Sequence, residues 1–159
     1  IQWKFRLYAR PEVVTHLLRS LLLGVSVLVL TLWEPRGMWF WLVAASFLAD
    51  FLNNVVDVAL EPESRRSLGG VPPLECVIHI VGATMAGAVA GAYIVLGWPL
   101  GAMKSELAAL PEIPASLLWN GRVLAVGALA IAALKAGLLV THSPAGQRRR
   151  AKTASAASG

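Results

Sequence analysis

Four apolar runs constrain this chain more than any motif in it. They cover about 12–33, 38–60, 74–97 and 116–141. Each is near the roughly 20 residues a helix needs to cross the hydrocarbon core of a bilayer. Inside lipid every backbone N–H and C=O must be satisfied within the segment, so such runs form helices. The expected fold is therefore all-α: a polytopic integral membrane protein with four transmembrane helices. Only 14% of the residues are charged, against about a quarter in a soluble domain, and the mean hydropathy is +0.65. Pro11 suits the first turn of the first span, where a missing N–H costs little. Met38-Trp39-Phe40-Trp41 opens the second span as an aromatic belt, and Trp33 and Trp98 end the first and third. Trp and Tyr favour this headgroup level.

The connections divide the rest. Residues 1–10 form an interfacial arm mixing Trp3, Phe5 and Tyr8 with Lys4, Arg6 and Arg10. The transmembrane domain occupies 11–142, and 143–159 is a basic, then Ala/Ser-rich flexible tail. The WEPRG segment after Trp33 reads as a tight connection, and Glu61-Pro62 closes the second span. Trp98-Pro99 closes the third, and the KSELAAL segment of the 99–115 loop reads as a short interfacial helix. The first residue is Ile1 rather than Met, so the expectation is that a true N-terminus, with or without a leader, precedes it.

Lys and Arg set the orientation. The arm, the 61–72 loop and the tail together hold nine, whereas Arg36 and Lys104 stand alone in the two opposite loops. The positive-inside rule then puts both termini in the cytoplasm, of a bacterial-type inner membrane or an organellar one. The net charge of +5 follows from this topology and implies no nucleic-acid partner. The single Cys76 has no intrachain disulfide partner.

Against this background the polar residues stand out. On a helix, Asp50, Asn54, Asp57 and Glu61 fall within about 40° of one direction, with Asn53 at the edge. Ionisable groups in hydrocarbon are costly, so this face must meet other helices or a wet cavity. The starts of the first and third spans share a second pattern. Each has Glu-x-x-x-His shortly after proline: Glu12 and His16, then Glu75 and His79. The spacing stacks acid over imidazole on one face. All four enter from the same side, level with Asn53, Asn54 and Asp57, and His142 ends the fourth span there.

Two readings compete for these groups. In one, Glu12, His16, Glu75 and His79 ligate a divalent transition metal (Zn, Fe or Mn), with Asp57 a bridging ligand or general base. Asn53 and Asn54 then support the ligands, and Asp50 joins Asp57 as a catalytic candidate, paired with Lys135 as a proton relay. In the other, Glu12 and Glu75 cap helix starts, Asp57 and Glu61 pair with Arg65 or Arg66, and the polar residues are structural. Arg19 lies about two turns into the first span, where it snorkels or pairs.

Asp50-x-x-Asn53-x-x-x-Asp57 followed by Glu61-Pro62-Glu63 resembles, over about fifteen residues, the second-helix motif of bacterial diacylglycerol and undecaprenol kinases. That family has Glu-x-x-Asn-x-x-x-Glu there, and the resemblance implies phosphate chemistry at the cytoplasmic leaflet. The acids here are Asp, the family's acidic N-terminal helix is not recognisable, and a fourth span is extra. Asn54-Val-Val-Asp57 is similar to the Asn-x-x-Asp of lipoprotein signal peptidases, but their second catalytic Asp motif is missing.

Small residues mark packing faces: Ser20 and Gly24; Ala83, Gly87 and Gly91; Ala128, Ala132 and Ala136. Such stripes let helices approach closely, within one chain, with another membrane subunit or in a homo-oligomer. The leading functional expectation is a metal-binding membrane enzyme acting on a lipidic substrate. The alternatives are an accessory subunit of a membrane complex, or a proton- or ion-coupled transporter or channel using Asp50.

Overall fold

The computed structural model describes residues 10–65 and 73–141. Four long helices carry it: α1 (Arg10–Leu32), α2 (Met38–Arg65), α3 (Pro73–Gly101) and α4 (Ala115–Thr141). All four are long and apolar enough to cross a membrane, and their outward surfaces stay apolar. Leu96, Val95 and Leu74 are each more than 70% exposed, as lipid-facing side chains are. The polytopic all-helical architecture expected from the four runs is what the chain adopts.

Two helices outrun the limits read from proline. Helix α2 passes through Glu61-Pro62 to Arg65, and α3 carries Pro99 inside its last turn and ends at Gly101. Each proline loses its own bond to the carbonyl four residues back, but only three residues of α2 follow Pro62 and two of α3 follow Pro99, so little helix lies beyond the disturbance. The connection after Trp33 is tight, as expected, and it contains strand β1 (Glu34–Arg36), whereas the 99–115 loop has strand β2 (Glu106–Ala108) where an interfacial helix was expected. The two pair antiparallel, Pro35 opposite Leu107. Peptide groups that the loops would otherwise leave unpaired satisfy one another there.

This clasp is built on Gly37. Its φ of +56° lies in the left-handed region, which glycine enters without steric cost. Its N–H donates to Leu100 O at 2.8 Å, and Met38 N–H donates to Ser105 Oγ at 2.9 Å. Arg36 spans the strands, 2.6 Å from Glu34 and 3.0 Å from Glu106.

The helices stand in a row, α4–α1–α2–α3. Among the described residues, no Cα pair within 8 Å joins α4 to α2 or α3, or α1 to α3. The tightest packing is α1 on α4. A Cβ on Gly24 would lie 2.8 Å from Leu129 Cγ, and one on Gly121 would lie 2.5 Å from Thr31 Cγ2. Ala125 and Ala132 are 1% exposed in the same seam. With no hydrophobic drive between helices in lipid, this close approach supplies the dispersion contact that holds them.

Helix α3 joins α2 through aromatic rings near the clasp. Phe40 is fully buried, stacks on Tyr93 at 4.8 Å and meets Trp41 edge-on at 5.1 Å. Gly97 and Gly101 make room for it, each with Phe40 ring atoms where a Cβ would go. Further along α3 the contact lapses. A Cβ on Gly82, Gly87 or Gly91 would meet nothing within 4 Å.

Candidate functional site

A polar seam runs along the α1–α2 interface. At the end where α1 begins, Thr15 donates its hydroxyl to Asp57 Oδ1, and His16 Nε2 lies 3.7 Å from Asp57 Oδ2. Asn53 donates to Thr15 O at 2.8 Å. One turn deeper, Arg19 Nη1 donates to Asn54 Oδ1 at 2.5 Å, and Arg19 Nε stands 3.9 Å from Asp50 Oδ1. Ser26 and Ser46 hydroxyls meet at 2.5 Å. On the other side of α1, near its last turn, Arg122 of α4 donates from Nη2 to Thr31 O at 3.1 Å. This puts a cation on one of the last carbonyls of α1, where the helix dipole is negative. From Thr15 to Ser26 the α1–α2 seam follows about 17 Å of helix.

The polar face read on α2 is therefore real for its described members. Asp50, Asn53, Asn54 and Asp57 are all buried against α1, as the cost of charge in hydrocarbon requires. Of the expected metal ligands, the structure brings His16 and Asp57 together. The side chains of Glu12, Glu75 and His79 lie outside the described residues, as do those of Glu61 and Cys76 and the whole of His142. Among the described residues no group of three His, Cys, Asp or Glu stands close enough to hold a metal. The ion pair shown for Asp50 is with Arg19. Lys135, its expected partner, sits on α4, which packs on α1.

Three features escaped the sequence reading. Ser26 and Ser46 are single hydroxyls in apolar runs, and nothing in their spacing pairs them. Arg122 was hidden inside the fourth span, although a cation two turns into an apolar helix is itself a signal. Thr15 lies beside the Glu12/His16 pattern, but its bond to Asp57 depends on which helices are neighbours.

Beside the seam lies a cavity of about 440 Å³, between α1, α2 and α3. Its polar wall is Arg19, Asp50 and Asn54; Leu23, Phe47 and Phe51 continue that side. The opposite wall is the small face of α3: Ala83, Ala86, Gly87 and Ala90. The α3 stripe thus borders a gap, whereas Gly24 and Ala132 seal a helix contact. The Asp50 side chain is only 9% exposed, yet its Oδ1 has no hydrogen-bond partner. Buried acceptors are nearly always satisfied, and an orphan costs about 1–3 kcal/mol. Arg19 Nε, at 3.9 Å, neutralises the charge without making the bond.

Compared with protein families, characterised proteins and solved structures, the chain matches none. The site is therefore read from its own geometry.

Proposed function

We propose that this membrane protein binds a lipidic, membrane-soluble molecule between α1, α2 and α3, its polar end against Asp50, Arg19 and Asn54. One observation carries the reading: Asp50, nine-tenths buried with its Oδ1 unbonded, belongs to the polar wall of an otherwise apolar cavity. The volume of about 440 Å³ is within the range of roughly 300–1,000 Å³ for ligand pockets. A few placed polar groups in an apolar lining are what fix a ligand's orientation.

Gly87→Leu tests it. Gly87 lines the cavity, and a Cβ added there would meet nothing within 4 Å, so a leucine takes up cavity space rather than a helix contact. Native mass spectrometry of protein released from nanodiscs should show retained lipid in the wild type and its loss in Gly87→Leu. Equal retention in a folded variant would refute the assignment.

A second reading rests on the His16–Asp57 pair at 3.7 Å. With Glu12, Glu75 and His79 it would form a transition-metal centre in the cytoplasmic leaflet, and the bound lipid would be its substrate. Metal content of protein purified without chelators, wild type beside a His16→Ala/His79→Ala variant, decides it: stoichiometric metal lost in the variant supports the centre. Without that metal, the chain is a lipid-binding subunit or a carrier that uses Asp50.

A further inference from the structure

We infer that Arg122 holds the phosphodiester of an anionic phospholipid, one such as phosphatidylglycerol, in the leaflet at the clasp end of the helices. The site is separate from the cavity and shares no lining residue with it.

Arg122 is a cation without an acid. It lies seven residues into α4, about 10 Å along the span, where a charge needs a partner or a path to polar surroundings. Arg19 has Asp50 at 3.9 Å, and Arg36 has Glu34 at 2.6 Å and Glu106 at 3.0 Å. Among the described residues Arg122 has only the Thr31 carbonyl, which offers a partial charge. Its three guanidinium nitrogens differ. Nη2 is committed to Thr31 O. Nε is enclosed and unbonded, beyond the reach of any ligand. Nη1 is unbonded too but is not enclosed, so it keeps a surface from which to donate. A phosphate oxygen accepting there makes a charge-assisted bond.

The geometry sets this nitrogen at headgroup level. Helices α1 and α4 pack antiparallel, Gly121 against Thr31 and Gly24 against Leu129. Thr31 is the last residue but one of α1, so residues 115–119 of α4 run past the end of α1 and form a corner with it. Trp33 follows α1, and Trp119 lies about one turn outward from Arg122; they are 40% and 66% exposed. Exposed tryptophans mark the membrane interface, and the Arg122 guanidinium stands just beneath them. The clasp leaves the corner open, since among the described residues neither strand approaches α4.

Charge selects the lipid. One uncompensated cation takes one negative charge, which the phosphodiester of phosphatidylglycerol carries. Phosphatidylcholine has the same phosphate but brings its own trimethylammonium, so the local charge stays positive.

The test uses phosphatidylglycerol with a diazirine on its headgroup glycerol, photo-crosslinked to the full chain in phosphatidylcholine nanodiscs. Adducts are counted on residues 115–121 and, separately, on the basic tail 143–159. In wild type, unlabelled phosphatidylglycerol should clear adducts from 115–121 about fivefold better than phosphatidylcholine of the same chains, the worth of one arginine near an anionic surface. Arg122→Gln should lower those adducts by about the same factor and leave the tail unchanged, whereas Arg122→Lys, which keeps the charge, should retain most of them. Inorganic phosphate should displace none. Equal competition by the two lipids, or undiminished labelling of 115–121 in Arg122→Gln, would overturn the assignment. Displacement by inorganic phosphate would overturn the lipid and leave a site for a free anion. A fall of all adducts alike in Arg122→Gln, the tail included, marks a lost fold, and the wild-type competition then decides alone. Lipid retention lost in Gly87→Leu should not respond to Arg122, so the two sites stand or fall separately.

Discussion

Replacing Arg19 and Asp50 singly and together measures whether the seam is held by an ion pair at mid-membrane. Asp50 is 12 residues from the start of α2 and 15 from its end, about 18 Å and 22 Å, so bulk water is remote. At 3.9 Å and an effective dielectric near 20, the attraction is about 4 kcal/mol. The desolvation cost of the two groups offsets part of this and leaves about 2–3 kcal/mol. Asp50→Leu should cost that much. Arg19→Met should cost about 1 kcal/mol more, because Asn54 Oδ1 also loses its 2.5 Å donor. The double variant should cost no more than Arg19→Met alone, since the pair is lost only once and two apolar side chains replace it. The coupling energy is then about 2–3 kcal/mol. Reversible unfolding in mixed micelles with increasing dodecyl sulfate gives the three values. Additive losses, summing to about 5–7 kcal/mol, would refute the pair, because independent side chains add and partners do not.

Other perturbations probe how the helices are held. Gly24→Leu drives a side chain into Leu129 and the Ala125 carbonyl, 2.8 and 3.3 Å from its Cβ. It should cost about 1–3 kcal/mol by overpacking in the same unfolding assay. Gly91→Leu, facing open space, should be neutral or stabilise by up to about 1 kcal/mol through helix propensity; equal losses at both positions would contradict the row of helices. Gly37→Ala forces an L-residue to φ +56° with Ser105 Oγ 2.6 Å from the new Cβ. A loss of roughly 2 kcal/mol and a lower melting temperature in detergent are expected, and an unchanged melt would mean the clasp bears no strain. Phe40→Ala removes a fully buried ring stacked on Tyr93 and should cost about 3–5 kcal/mol. Increased crosslinking between cysteines placed at the clasp ends of α2 and α3 would show the opposite, that Phe40 holds them apart.

Much of this architecture was legible in the sequence, and the losses have physical causes. Hydropathy and length locate the helices because lipid imposes one backbone solution on every span. The polar face of α2 was visible because burying Asp50, Asn54 and Asp57 requires them to share a direction. Sequence gives a side chain's depth, however, and not the neighbour on its face. Lys135 and Arg19 were both cations within apolar spans. Only the order α4–α1–α2–α3 sets Arg19 beside Asp50. The clasp was missed for a related reason. Strands of three residues are too short to show alternation, and Arg36 finds Glu106 seventy positions away. Proline lacks an N–H and so reads as a helix stop, but α2 and α3 continue for three and two residues past Pro62 and Pro99.

The small-residue stripes carry the argument one step further, because one pattern has three outcomes here. Gly24 and Ala132 let α1 and α4 touch. Gly97 and Gly101 seat the ring of Phe40. Gly87 and Gly91, on the same helix as the second pair, touch nothing. The difference lies in what each stripe faces. At the clasp, Phe40, Tyr93 and Trp98 fill the space between α2 and α3 and join the helices. Beyond those rings the small residues of α3 do not reach Phe47 and Phe51 across from them, so a gap opens. It opens opposite Asp50, the described carboxylate whose Oδ1 is buried without a hydrogen bond. Were α3 to close on the gap with its present side chains, it would bring only methyl groups and hydrogens to that oxygen. No hydrogen-bond donor would arrive, and the desolvation cost of Asp50 would rise.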